Sequence, residues 1–469
     1  MESEKIHNKR WHILIVISTI QLILMLDATV VNVALPEISS QLNLNDASLT
    51  WVVNAYLISA GALLLLGGKL GDKYGVSRVF KAGLIIFAVF SYTAAMSDGS
   101  SILILSRAGQ GIGEALAAAN GLAMISLVFP KGEERGKAFA IWASVAGLGS
   151  IVGVLLSGVL TEYFSWRWVF GINVPIIALL IIATSVIIPH FPVSNKVKLD
   201  VSNAVVLACA ITAVSVGVIG SGIESALDLR IITVSLGVIA IFWVIYRCKS
   251  VPESMIPQQL LRFSPRFYGY AIIAIQASTS GALFYLGVLI LQGPLGMSPM
   301  EAGLSWLPFC LGFFPGIFLS QYLTQNQSPQ RAAAVGLAIS FTGFIVFAIA
   351  SHQNSYWIGM LPAMLVTSIG FGCVAPIAQS LATSDLSEAD AGAGSGMATT
   401  IQQIFQVFGV TTFVAVALHS SVNAEASHID AQGFSSAFLL CAALVLIGLV
   451  LVATKRSTNV INTSALADQ

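Results

Sequence analysis

The stretch Gly68-Lys-Leu-Gly-Asp72-Lys-Tyr-Gly75-Val-Ser-Arg78 lies between two long apolar runs. Its glycines allow a tight turn and a close approach of neighbouring helices. Its lysine and arginine residues are of the kind that cytoplasmic loops of membrane proteins retain. The side chain of Asp72 is suited to accept hydrogen bonds from backbone N–H groups at a neighbouring helix start. The stretch therefore predicts a tight cytoplasmic turn between two transmembrane helices.

The composition of the 469-residue chain is that of a membrane protein. Hydrophobic residues make up 56% of it, charged residues make up 9%, and the mean hydropathy is +0.86, whereas about 25% of the residues of a soluble protein are charged. The net charge of zero argues neither for nor against nucleic acid, but for a chain in lipid we expect the membrane as partner and no nucleic acid. The five cysteines are scattered without metal-ligand spacing, so we expect neither disulfides nor a metal site.

Apolar runs of transmembrane length divide the chain into three parts. A hydrocarbon layer about 30 Å thick needs roughly 20 apolar residues per helix, and the sequence offers fourteen such segments. We predict an all-α integral membrane protein with a six-helix bundle over 1–192, a two-helix linker insert over 193–265 and a second six-helix bundle over 266–469. The predicted spans are 12–34, 51–70, 79–97, 101–128, 137–160, 168–189, 203–222, 229–247, 268–292, 300–324, 331–350, 356–381, 395–419 and 434–454.

The lysine and arginine residues predict the orientation. Nineteen of the 22 fall on one side of the membrane when fourteen spans are assumed, and cytoplasmic loops retain positive charge. Both termini are therefore expected in the cytoplasm, which requires an even number of spans. We expect a multi-pass protein of the inner, cytoplasmic membrane whose first helix is not cleaved.

Two carboxylates lie inside apolar runs. Asp27 is in the first predicted span and Glu114 is in the fourth. An ionisable side chain at this depth costs at least about 2.5 to 3.5 kcal/mol, and such residues are usually functional. Arg107 lies seven residues before Glu114, about 20° from the same helix azimuth and about 10.5 Å along the axis. Gln110 lies one turn from Arg107, so we predict a polar cluster of Asp27, Arg107, Gln110 and Glu114.

Such a cluster can bind and release protons. The proton affinity of a carboxyl group depends on its hydration and on its distance from a cation, and a movement that changes either quantity switches it. We expect Asp27 and Glu114 to be proton-coupling residues and Arg107 to tune them without titrating. The alternative is a static ion network that only joins helices, and for Glu114 the sequence does not favour either interpretation.

Three further motifs agree with residues 68–78. They are Leu26-Asp-Ala-Thr-Val-Val-Asn-Val-Ala-Leu-Pro36, Arg107-Ala-Gly-Gln-Gly-Ile-Gly113 and Trp166-Arg-Trp-Val-Phe-Gly-Ile-Asn-Val-Pro175. In this order, the four stretches resemble the motifs of the major facilitator superfamily, and most closely those of its fourteen-helix drug:proton antiporter branch. The resemblance implies the major facilitator fold, alternating access and drug export driven by the proton gradient without a cofactor. It also implies that Gly68, Asp72, Gly75 and Arg78 act in conformational gating.

The fifth span departs from that branch. Gly149, Gly153 and Gly158 fit its glycine pattern and are further gating candidates, but Val154 stands where the branch has proline and Ser157 where it has glycine. Because proline kinks a helix, its absence predicts a straighter fifth helix and weakens the case for antiport. Simple helix packing is the alternative role for these glycines.

The carboxy-terminal half offers amphipathic side chains for a substrate. Together with Gln110 they form one set of candidate substrate-binding residues. This set suits bulky, amphipathic molecules that are neutral or singly charged. We expect dications to be exported poorly, because no second acid lies within these spans. For each aromatic residue, helix packing or contact with lipid is the alternative. The candidates are Gln110, Phe284, Tyr285, Trp306, Phe309, Gln402 and Gln406.

The sequence therefore predicts a proton-coupled exporter with a small-molecule substrate and no enzymatic activity. Its six histidines all lie at or beyond the predicted helix ends, so a membrane-embedded enzyme has little support. The alternatives are a proton-coupled importer, an exporter of an endogenous metabolite, and a membrane scaffold that transports nothing. The segment from His419 to Gly433 is too short for a large docking domain, so a periplasmic adaptor would have to bind helix faces and has no support in the sequence.

Overall fold

A computed structural model describes most of the chain. The ranges it describes are 2–129, 132–189, 191, 199–220, 227–251, 266–353, 355–384, 391–421 and 429–453. These residues are almost entirely helical, and no β-strand occurs among them. The all-helical prediction is therefore confirmed.

The helices follow the predicted spans. We number them in chain order and count a helix with a short interruption as one. The amino-terminal six are α1 (Glu2–Leu42), α2 (Asp46–Tyr74), α3 (Val76–Ala95), α4 (Ser100–Val128), α5 (Glu133–Tyr163) and α6 (Arg167–Ile187). The central two are α7 (Val201–Ile219) and α8 (Leu227–Ser250). The last six are α9 (Arg266–Gln292), α10 (Pro299–Asn326), α11 (Pro329–Ala350), α12 (Tyr356–Thr383), α13 (Ala391–Ser420) and α14 (Ala431–Ala453).

Thirteen of the described helices are long and apolar enough to cross a membrane. The remaining one is α5, a continuous helix of 31 residues. Its described apolar part, Val152–Tyr163, is shorter than the apolar parts of the other thirteen helices. No proline interrupts α5, as the sequence predicts. Thirteen of the fourteen predicted spans therefore correspond to helices that could cross a membrane.

The polar stretch 68–78 is mostly helical. Helix α2 continues to Tyr74 and α3 begins at Val76, so the turn consists of Gly75 alone, with a φ of 99°. Glycine adopts this left-handed conformation without the penalty that a Cβ imposes. The predicted end of α2 at residue 70 is thus four residues early and the predicted start of α3 at residue 79 is three residues late, because hydropathy records the apolar part of a helix and not its polar end.

The two halves meet along several seams. In the amino-terminal half α1 packs on α5, and α2 and α3 pack on α4, while in the carboxy-terminal half α9 packs on α13 and α12 packs on α10 and α11. Between the halves, α2 packs on α13, α5 on the start of α10, and α1 on α9. Helix α7 contacts both α2 and α13, so the central pair lies against the longest of these seams.

Several contacts between the halves lie at the end of the bundle opposite the chain termini. The Gln292 amide donates a hydrogen bond to the Val33 carbonyl at 2.7 Å. The Glu162 carboxylate accepts hydrogen bonds from the Ser298 hydroxyl at 2.7 Å and the Met300 N–H at 2.8 Å. A Cβ on Gly158 would lie 2.8 Å from the Pro299 carbonyl oxygen, so α5 and α10 touch backbone to backbone there. These contacts hold the halves together at that end.

Candidate functional site

A buried ion pair joins α1 to α4. Arg107 Nη1 lies 2.7 Å from Asp27 Oδ2, and the two side chains are 2% and 0% exposed. The charge on each group is therefore compensated by the other inside the bundle and away from the lipid. The structure brings these two residues together as the sequence predicts.

Amide side chains satisfy the other oxygen of Asp27. Asn173 of α6 donates to Oδ1 at 2.6 Å, and Gln110 donates to the same atom at 3.1 Å. The Gln110 oxygen accepts from Arg107 at 2.8 Å, and its nitrogen also contacts the Ser91 hydroxyl at 2.8 Å. Gln110 therefore bridges Arg107 to Asp27 and α3, and not to Glu114.

The Arg107 guanidinium is also held from α2 and α6. Its Nε donates to the Val52 carbonyl at 3.1 Å. The Tyr56 ring lies 4.1 Å from the guanidinium carbon and the Phe170 ring lies 5.7 Å from it, distances at which an aromatic face attracts a cation. Arg107 is thus fixed by contacts to four helices, α1, α2, α4 and α6.

Glu114 lies apart from this pair. It occupies the middle of the 29-residue α4 and is 2% exposed. Its Oε1 accepts a hydrogen bond at 3.2 Å from Gln403 of α13, in the other half of the protein. Its Oε2 has no hydrogen-bond partner at normal geometry among the described residues, although the Tyr56 phenol lies nearby.

The charges of this region do not balance when both acids are ionised. Asp27 and Glu114 contribute two negative charges and Arg107 contributes one positive charge, and Arg107 is paired with Asp27. A buried carboxylate without a cation is far more costly than the neutral acid. The arrangement can therefore take up one proton at Glu114 and become neutral.

The predicted substrate residues fall into two groups. Tyr285, Trp306 and Phe309 are 1%, 1% and 5% exposed, so in this conformation they pack the carboxy-terminal half and present little surface to a ligand. The Tyr285 hydroxyl lies 3.3 Å from the Thr50 hydroxyl of α2. The rings of Phe284, Trp306 and Phe309 contact one another, with centroids 4.9 to 5.6 Å apart.

The second group keeps part of its surface open. Phe284 is half-buried and forms a stripe with the half-buried Gln276 and Ser280, whereas the α9 residues between them are buried. Gln402 is exposed and Gln406 is half-buried on one face of α13. A glutamine turned to lipid would lack hydrogen-bond partners, so these side chains are best placed to line a space between the halves.

The predicted gating residues of α2 and α3 lie at the end of the bundle that carries the termini. Asp72 and Arg78 are exposed, and the charge of Lys69 acts on Asp72. The hydrogen bond from a helix start to Asp72 stays a prediction. A Cβ on Gly68 would be 4.0 Å from its nearest neighbour. The close approach between α2 and α4 is made by Gly67 and not by Gly68, since a Cβ on Gly67 would lie 2.6 Å from the Ala115 oxygen.

The glycines of α5 make the contact with α1. A Cβ on Gly149 would lie 2.6 Å from the Leu22 oxygen, and one on Gly153 would lie 2.8 Å from the Leu26 oxygen. Ser157, which stands in place of a glycine, donates a hydrogen bond to the Val30 carbonyl of α1. These residues therefore pack α5 on α1.

Four residues around the two acids are absent from the predicted site residues. They are Tyr56, Ser91, Asn173 and Gln403, which complete the surroundings of the two acids. Asn173 belongs to a quoted motif and Gln403 stands between two predicted glutamines. The residue types of Asn173 and Gln403 thus indicated hydrogen-bonding side chains. Their partners Asp27 and Glu114 lie on other helices, far away in the sequence.

Comparisons with known proteins agree on one family. The family model described as Major Facilitator Superfamily matches residues 17–410. The cephamycin export protein CmcT of Amycolatopsis lactamdurans is 31% identical over 467 residues, which cover 97% of this chain and 95% of that protein. The lincomycin resistance protein of Streptomyces lincolnensis is 31% identical over 87% of this chain and 84% of its own length. The puromycin resistance protein pur8 of Streptomyces alboniger is 29% identical over 92% and 85%.

Solved structures share the fold. The nucleoside transporter NupG superposes with a TM-score of 0.64 over 94% of this chain and 98% of its own, at 13% identity. A D-xylose–proton symporter gives the same TM-score over 93% and 97%, at 15% identity. At such low identity these two structures support the arrangement of helices and nothing more specific.

Proposed function

This chain belongs to the Major Facilitator Superfamily, and we propose that it is a proton-coupled efflux transporter for bulky amphipathic compounds that are neutral or singly positive. Transport would follow alternating access, with the two halves moving about a central substrate site. The observation that carries this proposal is Glu114, a buried carboxyl without a cation that contacts the opposite half.

Drug export is supported by the relatives. The names of three of them record export of, or resistance to, cephamycin, lincomycin and puromycin. These antibiotics differ in structure, which is why we propose a class of substrate and not one compound. The partly exposed aromatic and amide groups of α9 and α13 have the chemistry that such a class requires.

The membrane arrangement completes the proposal. We propose that α5 is the fourteenth span, that both termini are cytoplasmic and that the protein lies in the inner membrane. In this arrangement 1–192 and 266–469 are the moving bundles and 193–265 is the insert between them. The hydrogen bonds that Gln292, Ser298 and Met300 make to the other half then lie at the outer end, and we propose that this conformation is closed to the outside.

The coupling role of Asp27 can be tested with Asp27→Asn. We expect this variant to lose proton-driven uptake of a fluorescent monocation such as ethidium into inverted membrane vesicles, because asparagine cannot titrate. Asparagine keeps the hydrogen-bonding shape but leaves the buried Arg107 guanidinium without its carboxylate, so the yield of monodisperse protein is measured as well and uptake is compared per folded molecule. The matched control is Asp98→Asn, whose side chain is 91% exposed and which should transport as the unmodified protein does.

Full uptake by Asp27→Asn would refute a coupling role for this residue. Proton-driven movement of the dye out of inverted vesicles would instead identify an importer. Absence of gradient-dependent movement of any tested compound in the unmodified protein would favour the scaffold.

Substrate charge gives a second test. We expect a monocation to be taken up by inverted vesicles several times faster than a dication of similar size and hydrophobicity. The reason is that the described spans of the carboxy-terminal half carry no acidic side chain well inside the membrane, Glu301 lying at the start of α10. Equal rates for both dyes would contradict the proposed substrate class.

A further inference from the structure

Glu114 and Gln403 form a buried contact between the two halves. Their side chains are only 2% and 9% exposed, and the Gln403 amide nitrogen donates to Glu114 Oε1 at 3.2 Å. The Gln403 backbone is pressed against α2, where a Cβ on Gly61 would lie 2.8 Å from the Gln403 Cβ. The amide is therefore held at a fixed place beside the acid.

Each partner keeps one oxygen without a hydrogen bond. Both Glu114 Oε2 and Gln403 Oε1 are shielded from solvent and have no partner at normal geometry among the described residues. Leaving a buried polar atom unpaired is costly. Two oxygen acceptors cannot satisfy each other, because neither has a hydrogen to donate.

One proton would satisfy both oxygens. A protonated carboxyl carries an O–H donor and a carbonyl acceptor, and a primary amide carries an N–H donor and a carbonyl acceptor. Placed side by side, the two groups form a pair with two parallel hydrogen bonds, from Gln403 N–H to Glu114 Oε1 and from Glu114 O–H to Gln403 Oε1. When the proton leaves, the second bond is lost and the negatively charged carboxylate oxygen lies beside the amide oxygen, which is an acceptor with no hydrogen to donate.

We propose that Gln403 is the positioning residue through which protonation of Glu114 fastens α4 to α13. Proton binding stabilises the conformation seen here, and proton release separates the two helices so that water can hydrate the carboxylate. The proton comes from water and returns to water, and no other bond is made or broken. This inference rests on the proposed function, because it assigns the step that links proton binding to movement of the halves.

Other ionisable groups lie near Glu114 but take no part in its contact with Gln403. On α1, Asp27 is paired with Arg107 of α4 at 2.7 Å. On α2, the Tyr56 ring lies against the Arg107 guanidinium, and its hydroxyl contacts the Leu24 carbonyl at 3.4 Å and also lies near the Glu114 carboxyl. On α3, the group that faces the site is the neutral Ser91.

The test measures conformation and does not require transport. Spin labels are placed at Leu127 and Tyr322, which are 52% and 65% exposed near the terminal end of α4 and α10, in the purified full-length chain with its five cysteines replaced by serine. The distances between the two labels fall into two populations, one for each conformation. We expect the ratio of these populations to differ about tenfold between acidic and alkaline buffer, the order expected for one buried hydrogen bond. This ratio is measured without substrate and without a gradient.

Three variants decide whether the amide is responsible. Glu114→Gln forms a similar two-bond amide pair, so it should keep the acidic distribution at every pH. Gln403→Met keeps the volume but has no hydrogen bond to offer, so its ratio should no longer respond to pH. The exchanged pair Glu114→Gln with Gln403→Glu rebuilds an acid beside an amide and should regain the response.

A pH response that survives in Gln403→Met, or is absent from the unmodified protein, would overturn the inference. Failure of the exchanged pair to regain the response, with monodisperse elution, would overturn it as well. Should the distances respond as expected while vesicles show no proton-driven export, the efflux function fails and the proton-dependent contact stands. The reverse combination would retain the exporter and remove Gln403 from its mechanism.

Discussion

Replacing Arg107 with leucine is expected to destabilise the protein by about 3 to 5 kcal/mol, the cost of leaving one partner of a buried ion pair without the other. Asp27 is 0% exposed in this pair, so water cannot compensate for the lost guanidinium. Four further interactions of Arg107 disappear as well, with Val52, Gln110, Tyr56 and Phe170. The measurement is the thermal unfolding midpoint of the purified protein in detergent, together with the yield of monodisperse material.

A double variant separates charge from packing. In Asp27→Asn with Arg107→Leu no unpaired charge remains, so most of the lost stability should return, although proton-driven transport should not. The control is Arg78→Leu, because that side chain is exposed in the turn between α2 and α3. An Arg107→Leu variant as stable as the unmodified protein would show that Asp27 is neutral in the folded state.

Replacing Gly153 with leucine is expected to cost about 3 kcal/mol or more, at the upper end for overpacking, and to prevent assembly of the amino-terminal half. A Cβ at this position would already lie 2.8 Å from the Leu26 oxygen and 3.0 Å from the Leu26 Cα. Both are backbone atoms of α1, so the obstacle cannot be relieved by a change of side-chain rotamer. The measurement is the amount of folded protein recovered from membranes, with its unfolding midpoint.

Gly68→Leu is the matched control. It places the same side chain on a membrane helix, but the nearest atom to its Cβ would be the Ala119 Cβ at 4.0 Å. We expect it to fold with nearly normal yield. Equal loss in both variants would mean that glycine matters here for backbone conformation, whereas equal tolerance would mean that α1 and α5 are not in contact as the structure has them.

Much of the fold follows from the sequence because lipid is a simple solvent. Every backbone polar group of a membrane span must be satisfied within its own helix, so apolar length alone identifies the helices. Thirteen of the fourteen predicted spans correspond to helices that are long and apolar enough to cross a membrane. The contact between Asp27 and Arg107 was also predictable, since a single cation and a nearby acid that must avoid lipid have few alternatives.

Partners on distant helices were not predictable in the same way. Helical periodicity gives the face on which a residue lies, but not the helix that covers this face. Asn173 and Gln403 reach their acids across 146 and 289 positions of sequence. For the same reason the sequence did not distinguish Trp306 and Phe309 from Phe284. All three are aromatic residues suited to contact a ligand, but Trp306 and Phe309 are packed inside the carboxy-terminal half.

The sequence by itself determined which segments enter the membrane and that two acids and one arginine enter with them. Only the tertiary structure decided the partner of each acid: Asp27 forms an ion pair with Arg107, and Glu114 accepts a hydrogen bond from the amide of Gln403 in the opposite half. The physical reason is that burial in lipid acts on each helix separately, whereas a hydrogen bond between the halves exists only where both backbones have been brought to within reach of each other.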